Sequence, residues 1–234
     1  MNALVNHVLG VKREEDVRFL LMGTKERKED STMSQTDSIT AYTIHPPTRN
    51  EGGIRSSFSI TVVDTPGFLD TRGLDEDKTL IKNIHQFFTR YVDRLHRIGI
   101  VIPATTTRLT PSQRFLYDQI LSLFGNDVKD RFVLLSTFAD QEEPQTLAAV
   151  KQAGISCRGS YQFNAGCLYK KNRNQLTMQE LLWEMTADNF RRLLEDLQTA
   201  EPIGLELTRE VLEKRETLEK ALVKVQEEIK LGKY

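Results

Sequence analysis

Two short segments carry residue types at spacings that suit nucleotide chemistry. In the first, the β-branched run Ile60-Thr61-Val62-Val63 leads into Asp64-Thr65-Pro66-Gly67. Such a run reads as a strand, and in open α/β sheets ligands sit at the carboxyl ends of strands. A carboxylate at that edge holds a magnesium ion, usually through water, while a glycine lets a backbone amide approach a γ-phosphate. Asp64 and Gly67 fit those two roles. Proline and glycine also build ordinary tight turns, so the turn alone is equally compatible with a structural use.

The second segment is Thr137-Phe138-Ala139-Asp140, directly after the apolar run Phe132-Val133-Leu134-Leu135-Ser136. A carboxylate here can accept hydrogen bonds from both the ring N–H and the exocyclic amine of guanine, and adenine offers no such pair. Asp140 is therefore the candidate guanine reader and Thr137 the residue that opens the motif. Glu142, Glu143 and Pro144 follow, so capping the next helix is the rival role for Asp140.

The surrounding pattern supplies elements to hold these groups. Leu4, Val5, Val8 and Leu9 lie on one helical stripe at the start of the chain. Phe19-Leu20-Leu21-Met22 is a short apolar run, and residues 24–37 read as a hydrophilic loop. Segments 41–45 and 58–63 alternate in strand fashion and suggest an antiparallel pair. Residues 77–95 have helical periodicity, and 97–102 form an apolar strand. Pro111 suits the first turn of a helix ending near Phe124-Gly125, and another helix spans about 144–153 and stops at Gly154. Tyr161-Gln162-Phe163 is the last strand candidate, followed by an amphipathic helix over 176–197. Repeated strand-then-helix units imply an α/β fold, a mostly parallel sheet with helices on both faces in three layers. After Pro202-Ile203-Gly204, the residues Leu218, Leu222, Val225 and Ile229 recur at steps of four, three and four in a charged helix, a coiled-coil-like spacing.

Composition narrows the function classes. The 234 residues have 39% hydrophobic and 28% charged content, room for one sizeable α/β domain and an appendage. Lys plus Arg (32) nearly balances Asp plus Glu (33), which argues against a nucleic-acid or polyanion partner. Nothing approaches the roughly 20 apolar residues of a transmembrane span, and no secretory signal opens the chain. Cys157 and Cys167 read as reduced thiols, which points to a cytoplasmic protein. His7, His45, His85 and His96 have no metal-ligand spacing with them, so a metal-only site is not expected.

With its strand-Asp-Thr-Pro-Gly turn and Thr-x-x-Asp motif in this order, the chain resembles the septin-like and immune-associated (GIMAP-type) branch of the P-loop GTPases, over roughly residues 1–200. The resemblance implies a GTPase-type G domain over 1–200, a C-terminal helical extension over 201–234, and GTP or GDP with magnesium as cofactors. It also implies that Thr40, in Ser38-Ile39-Thr40, is a switch threonine for magnesium beside Asp64, and that Asn164, after the last strand, lies in a base-contacting loop. The partner it suggests is a second copy, through the G domain or the C-terminal helix.

Two departures from the family pattern bear on activity. No Gly-x-x-x-x-Gly-Lys-Ser/Thr occurs in the 234 residues, and Gly23-Thr24-Lys25 is only a faint echo of it. The family's phosphate loop would immediately precede the helix that opens at Asn2, so the first core strand is also expected to be missing and GTP binding impaired. After the turn glycine stands Phe68, where regulatory GTPases often carry a water-orienting glutamine, so hydrolysis is expected to be slow or absent. Arg72 and Arg108 lie in plausible switch or loop regions, with surface charge as their alternative use. The rival reading is a nucleotide-independent scaffold that uses the G-like domain and the C-terminal helix.

Overall fold

The computed structural model describes residues 1–21, 39–46, 58–67, 74–123, 126–140, 143–168 and 176–232. Met22, residues 24–37, Phe68, Arg72 and Gly125 lie outside this set. In chain order the elements are α1 (Asn2–Val8), β1 (Thr40–Ile44), β2 (Ile60–Asp64), α2 (Leu74–Tyr91), β3 (Arg94–Leu95) and β4 (Ile98–Pro103). Then come α3 (Pro111–Leu123), β5 (Phe132–Thr137), α4 (Gln145–Gln152), β6 (Gly159–Phe163), α5 (Leu176–Thr199), β7 (Ile203–Gly204) and α6 (Glu206–Lys230).

The parallel part of the sheet is the three-stranded run β4-β5-β6, with Leu134 opposite Ile100 on one side and Ser160 on the other. Successive β5 side chains enter opposite faces, as strand geometry requires. Phe132 and Leu134 pack with Ile84 of α2, Val150 of α4 and Leu205. Val133 packs on the other face with Ala3 of α1 and with Phe190 and Leu193 of α5. This is the expected layering of helix, sheet and helix.

The expected continuous sheet is instead found as separate pieces. β1 and β2 form their own antiparallel pair, as the alternation of 41–45 and 58–63 foretold, and β2 is not hydrogen-bonded to β4. Across this pair, Thr43 Oγ1 meets Thr61 Oγ1 at 3.0 Å and His45 Nδ1 meets Ser59 Oγ at 2.9 Å. α1 bridges the two sheets: Val5 and Val8 pack with Ile44 and Ile60, Ala3 packs under β5 and β6, and Leu4 touches both clusters. Asn2 and Asn6 of α1 also hold the following segment. The Leu21 N–H donates to Asn2 Oδ1, and the Phe19 N–H and C=O both pair with the Asn6 amide, which is 1% exposed.

Local signals explain several boundaries. At the end of α4, Gly154 takes φ 76, its N–H donates to the Lys151 carbonyl, and the Ile155 N–H donates to that of Val150. α1 ends the same way, with Gly10 at φ 74 and the Val11 N–H donating to the Asn6 carbonyl. Both are Schellman caps that need a left-handed residue, with an apolar side chain next to it folded into the core. α3 opens on a reciprocal cap between Thr110 and Gln113, with Pro111 at the first helical position as its residue type favours.

The helical periodicity of 77–95 overshoots. α2 stops at Tyr91, and Leu95 turns into β3, opposite Ile203 of β7. The Leu205 N–H donates to the Asp93 carbonyl, and Arg209 at the start of α6 pairs with Asp93 and with the Val92 carbonyl. The segment read only as a break at Pro202-Ile203-Gly204 thus anchors α6 to the domain.

At the other end of the sheet, Arg97 binds Asp196 of α5 in two parallel hydrogen bonds, Nε to Oδ2 at 2.7 Å and Nη2 to Oδ1 at 2.6 Å. Arg192 lies over the Tyr161 ring. Arg97 first, and then the Tyr161 hydroxyl, hold the Asp196 carboxyl below its ordinary range against the opposing effect of burial.

Candidate functional site

The sequence-derived residues gather in two groups. The first stands at the carboxyl end of β5, a strand paired on both sides. Thr137 is its last residue, opposite Phe163 of β6 and Pro103 of β4. Phe138 then takes φ 55, in the left-handed region, and turns the chain so that Ala139 drops back into the protein with 1% exposure. The Ala139 N–H donates to the Phe163 carbonyl at 3.1 Å, and its own carbonyl accepts from Asn164 Nδ2 at 2.9 Å. With the middle residue pinned on both sides, Phe138 and Asp140 stand exposed to either side of it.

Asp140 therefore presents an acceptor-only carboxylate beyond the strand edge, free to meet two N–H donors in one plane. The rival role is removed, because α4 begins at Gln145 with Pro144 as its N-cap and no side-chain cap.

Asn164 is used in a way its sequence position does not reveal. Its Nδ2 donates to the Ala139 carbonyl and its Oδ1 accepts the Gly166 N–H at 3.2 Å. Its backbone N–H donates to Thr186 Oγ1 of α5, and its carbonyl accepts from the N–H and the Sγ of Cys167. Asn164 is thus a clamp between the Thr137–Asp140 loop and the loop after β6. Ala139 and Thr186 share that work, and neither was legible as a site residue.

The second group lies on the antiparallel pair. Thr40 and Asp64 are direct cross-strand partners, which puts a hydroxyl and a carboxylate on one face with Cβ atoms about 5 Å apart. Both are half-buried, Pro66 is buried and Gly67 is exposed at the end of the described turn. The amino group of Met1 feels the Asp64 charge, which opposes the larger lowering of its pKa by burial, so α1 begins beside Asp64. Among the described residues no cluster of three or more His, Cys, Asp or Glu could hold a metal ion by itself. One carboxylate and one hydroxyl suit magnesium, which keeps several waters and takes its remaining ligands from substrate phosphates. The residues present thus fit the base and the ion of a magnesium nucleotide. A Gly-x-x-x-x-Gly-Lys-Ser/Thr cradle for its phosphates does not occur in the 234 residues.

Arg108 is exposed on the loop between β4 and α3.

In comparison with known families, the AIG1 family model matches residues 31–153, just over half of the chain. The match takes in Thr40, Asp64, Gly67, Thr137 and Asp140, and ends before Asn164. No curated protein matches the chain.

Proposed function

The chain belongs to the AIG1 family, a family of P-loop GTPases, and from that premise we propose that it is a guanine-nucleotide-binding module whose own residues read the base and hold the magnesium ion. Asp140 takes the guanine edge, with Thr137 at the loop's base and Asn164 as its clamp. Thr40 and Asp64 hold magnesium, and Gly67 offers its amide toward the γ-phosphate. The observation that carries the reading is the double pinning of Ala139, which fixes an exposed carboxylate at the carboxyl end of the central parallel strand.

In this reading residues 1–200 belong to a G domain, and 201–234 are a helical extension. Nucleotide binding by these residues alone is weak, because the cradling amides and lysine supply much of the affinity for the β- and γ-phosphates. No residue is assigned to catalysis, and hydrolysis is slow. The free thiols Cys157 and Cys167 fit a cytoplasmic setting. No described helix is long and apolar enough to cross a membrane.

Equilibrium titration of the chain with GDP and with ADP, in magnesium, tests the proposal. Saturable binding that favours GDP is expected. Equal affinities, or no binding of either nucleotide, would overturn it.

One observation favours a second reading, that of a scaffold. Beyond its anchored first turns, α6 exposes Leu218 (60%), Leu222 (53%) and Ile229 (61%) along one stripe. A stripe at this spacing suits another helix, including that of a second copy. Sedimentation with and without GTP and magnesium separates the two readings: nucleotide-dependent self-association argues against a pure scaffold.

A further inference from the structure

We propose that Arg18 is a positioning residue for base recognition, holding the loop after β6 in the arrangement from which Asn164 fixes Ala139 and, next to it, Asp140. The inference deepens the guanine reading above and rests on it.

Arg18 lies on the segment that follows α1. Its Nε donates to the Leu168 carbonyl at 3.0 Å, across a separation of 150 residues. Its Nη1 donates to the carbonyls of Glu15 at 2.6 Å and Val17 at 2.8 Å, and its Nη2 to that of Arg13 at 3.0 Å. A guanidinium carries five N–H donors in a rigid fork, and this one spends its bonds on backbone carbonyls. Three of them wrap the segment around its own side chain, and the fourth leaves it for the loop. The group also lies over the Trp183 ring of α5, with Cζ 5.3 Å from the centroid.

Both ends of this connection are anchored. On one side, Phe19 exchanges two hydrogen bonds with the Asn6 side chain and the Leu21 N–H donates to Asn2 Oδ1, so the segment is tied to α1. Arg13 adds an ion pair with Glu180 of α5 at 2.7 Å. On the other side, Leu168 is buried and ends the short helical turn Ala165–Leu168. Within that turn the Gly166 N–H donates to Asn164 Oδ1 and the Cys167 N–H to the Asn164 carbonyl. The Asn164 amide reaches the Ala139 carbonyl, one residue before Asp140. Arg18 therefore grips the far end of the turn whose near end clamps the base-reading loop. With that grip lost, the turn samples other arrangements, and ligand affinity falls with the fraction of molecules in the competent one.

The consequence is selective. Hypoxanthine lacks the exocyclic amine that Asp140 accepts from guanine, so a displaced Asp140 weakens GDP more than IDP. A general loss of folded protein weakens both alike.

The test measures equilibrium binding of GDP and IDP, in magnesium, to the full chain, with amide hydrogen exchange read at Gly166 and Cys167. Arg18→Ala is expected to cut the preference for GDP over IDP about fivefold and to speed exchange at both amides. Arg18→Lys keeps the charge near Trp183 without the planar fork. It is expected to hold the thermal midpoint closer to the wild type while the preference stays reduced, and it carries the test should Arg18→Ala fail to fold. Arg13→Ala removes the ion pair on the same segment and is expected to leave preference and exchange unchanged. In an Asn164→Ala background, removal of Arg18 is expected to reduce the preference no further, because the two residues act in series. An unchanged preference in both Arg18 variants, alongside its loss in Asp140→Asn, would overturn the positioning role and leave the guanine reading standing. Additive losses in the double variant would also overturn the role. A wild type with no preference for GDP over IDP would overturn both.

Discussion

Asp140→Asn is expected to abolish the preference for guanine, lowering GDP affinity about a hundredfold. The wild-type carboxylate accepts from both the ring N–H and the exocyclic amine, and charge-assisted bonds of this kind contribute about 1.5–3 kcal/mol each. An asparagine amide keeps one acceptor and turns an N–H₂ donor toward a guanine donor, so one bond is lost and the other is set against a repulsion. The same change creates a match for xanthine, whose 2-oxo group accepts where the guanine amine donates. Competition between GDP and xanthosine diphosphate should therefore reverse in the variant. Asp140 is exposed and caps no helix, so the thermal midpoint should stay at the wild-type value. Unaltered selectivity would show that this carboxylate does not face the base.

The second large effect lies at the opposite end of the sheet. Arg97→Ala should destabilise the protein by about 3 kcal/mol, lowering Tm by about 6–12 °C for a domain of this size. The Arg97 side chain is 5% exposed and that of Asp196 19% exposed, so truncating one partner leaves the other charge largely out of water. Arg158 stands 3.9 Å away and is itself mostly exposed, a poor substitute for the two short bonds that are lost. The pH dependence follows from the depressed Asp196 carboxyl. A group with a lowered folded-state pKa contributes stability above its unfolded value and loses it as the pH falls through the folded one. Denaturation curves of wild type and Arg97→Ala should therefore differ most near neutral pH and converge in acid. A gap that stays constant down to the acid limit would show that Arg97 contributes packing alone.

Element types were readable where the signal is local. The apolar run before Thr137, the proline at 111 and the glycine at 154 each act within a few residues, and each stands where its chemistry requires. α2 shows where this fails. Phe87, Phe88, Tyr91, Val92 and Leu95 continue a helical spacing, yet Leu95 leaves the helix because Ile203, far along the chain, offers it a strand partner. Tertiary pairing overrode the local pattern, and β7 was invisible for the same reason.

The candidate site divides in the same way. Asp64 and Asp140 were legible because a carboxylate after a β-branched or apolar run is a pattern within a single segment. Their cross-strand and cross-loop supports were not. Thr40 was inferred from a family resemblance, and only the β1–β2 register shows it to be the direct partner of Asp64. Asn164 was chosen for its loop, whereas its amide ties that loop to Ala139. The left-handed Phe138 leaves no trace in sequence, since nothing in its residue type foretells a positive φ.

The central claim is that these residues form the base and magnesium parts of a GTP site, and one measurement tests it most directly. A strand and Gly-x-x-x-x-Gly-Lys-Ser loop would be fused ahead of Asn2, and binding of labelled GTP and ATP would be measured with and without magnesium. The account predicts tight, magnesium-dependent binding of GTP over ATP, with the magnesium effect lost in Asp64→Ala. Equal affinity for GTP and ATP in the fused protein, or GTP binding indifferent to both magnesium and Asp64, would contradict it.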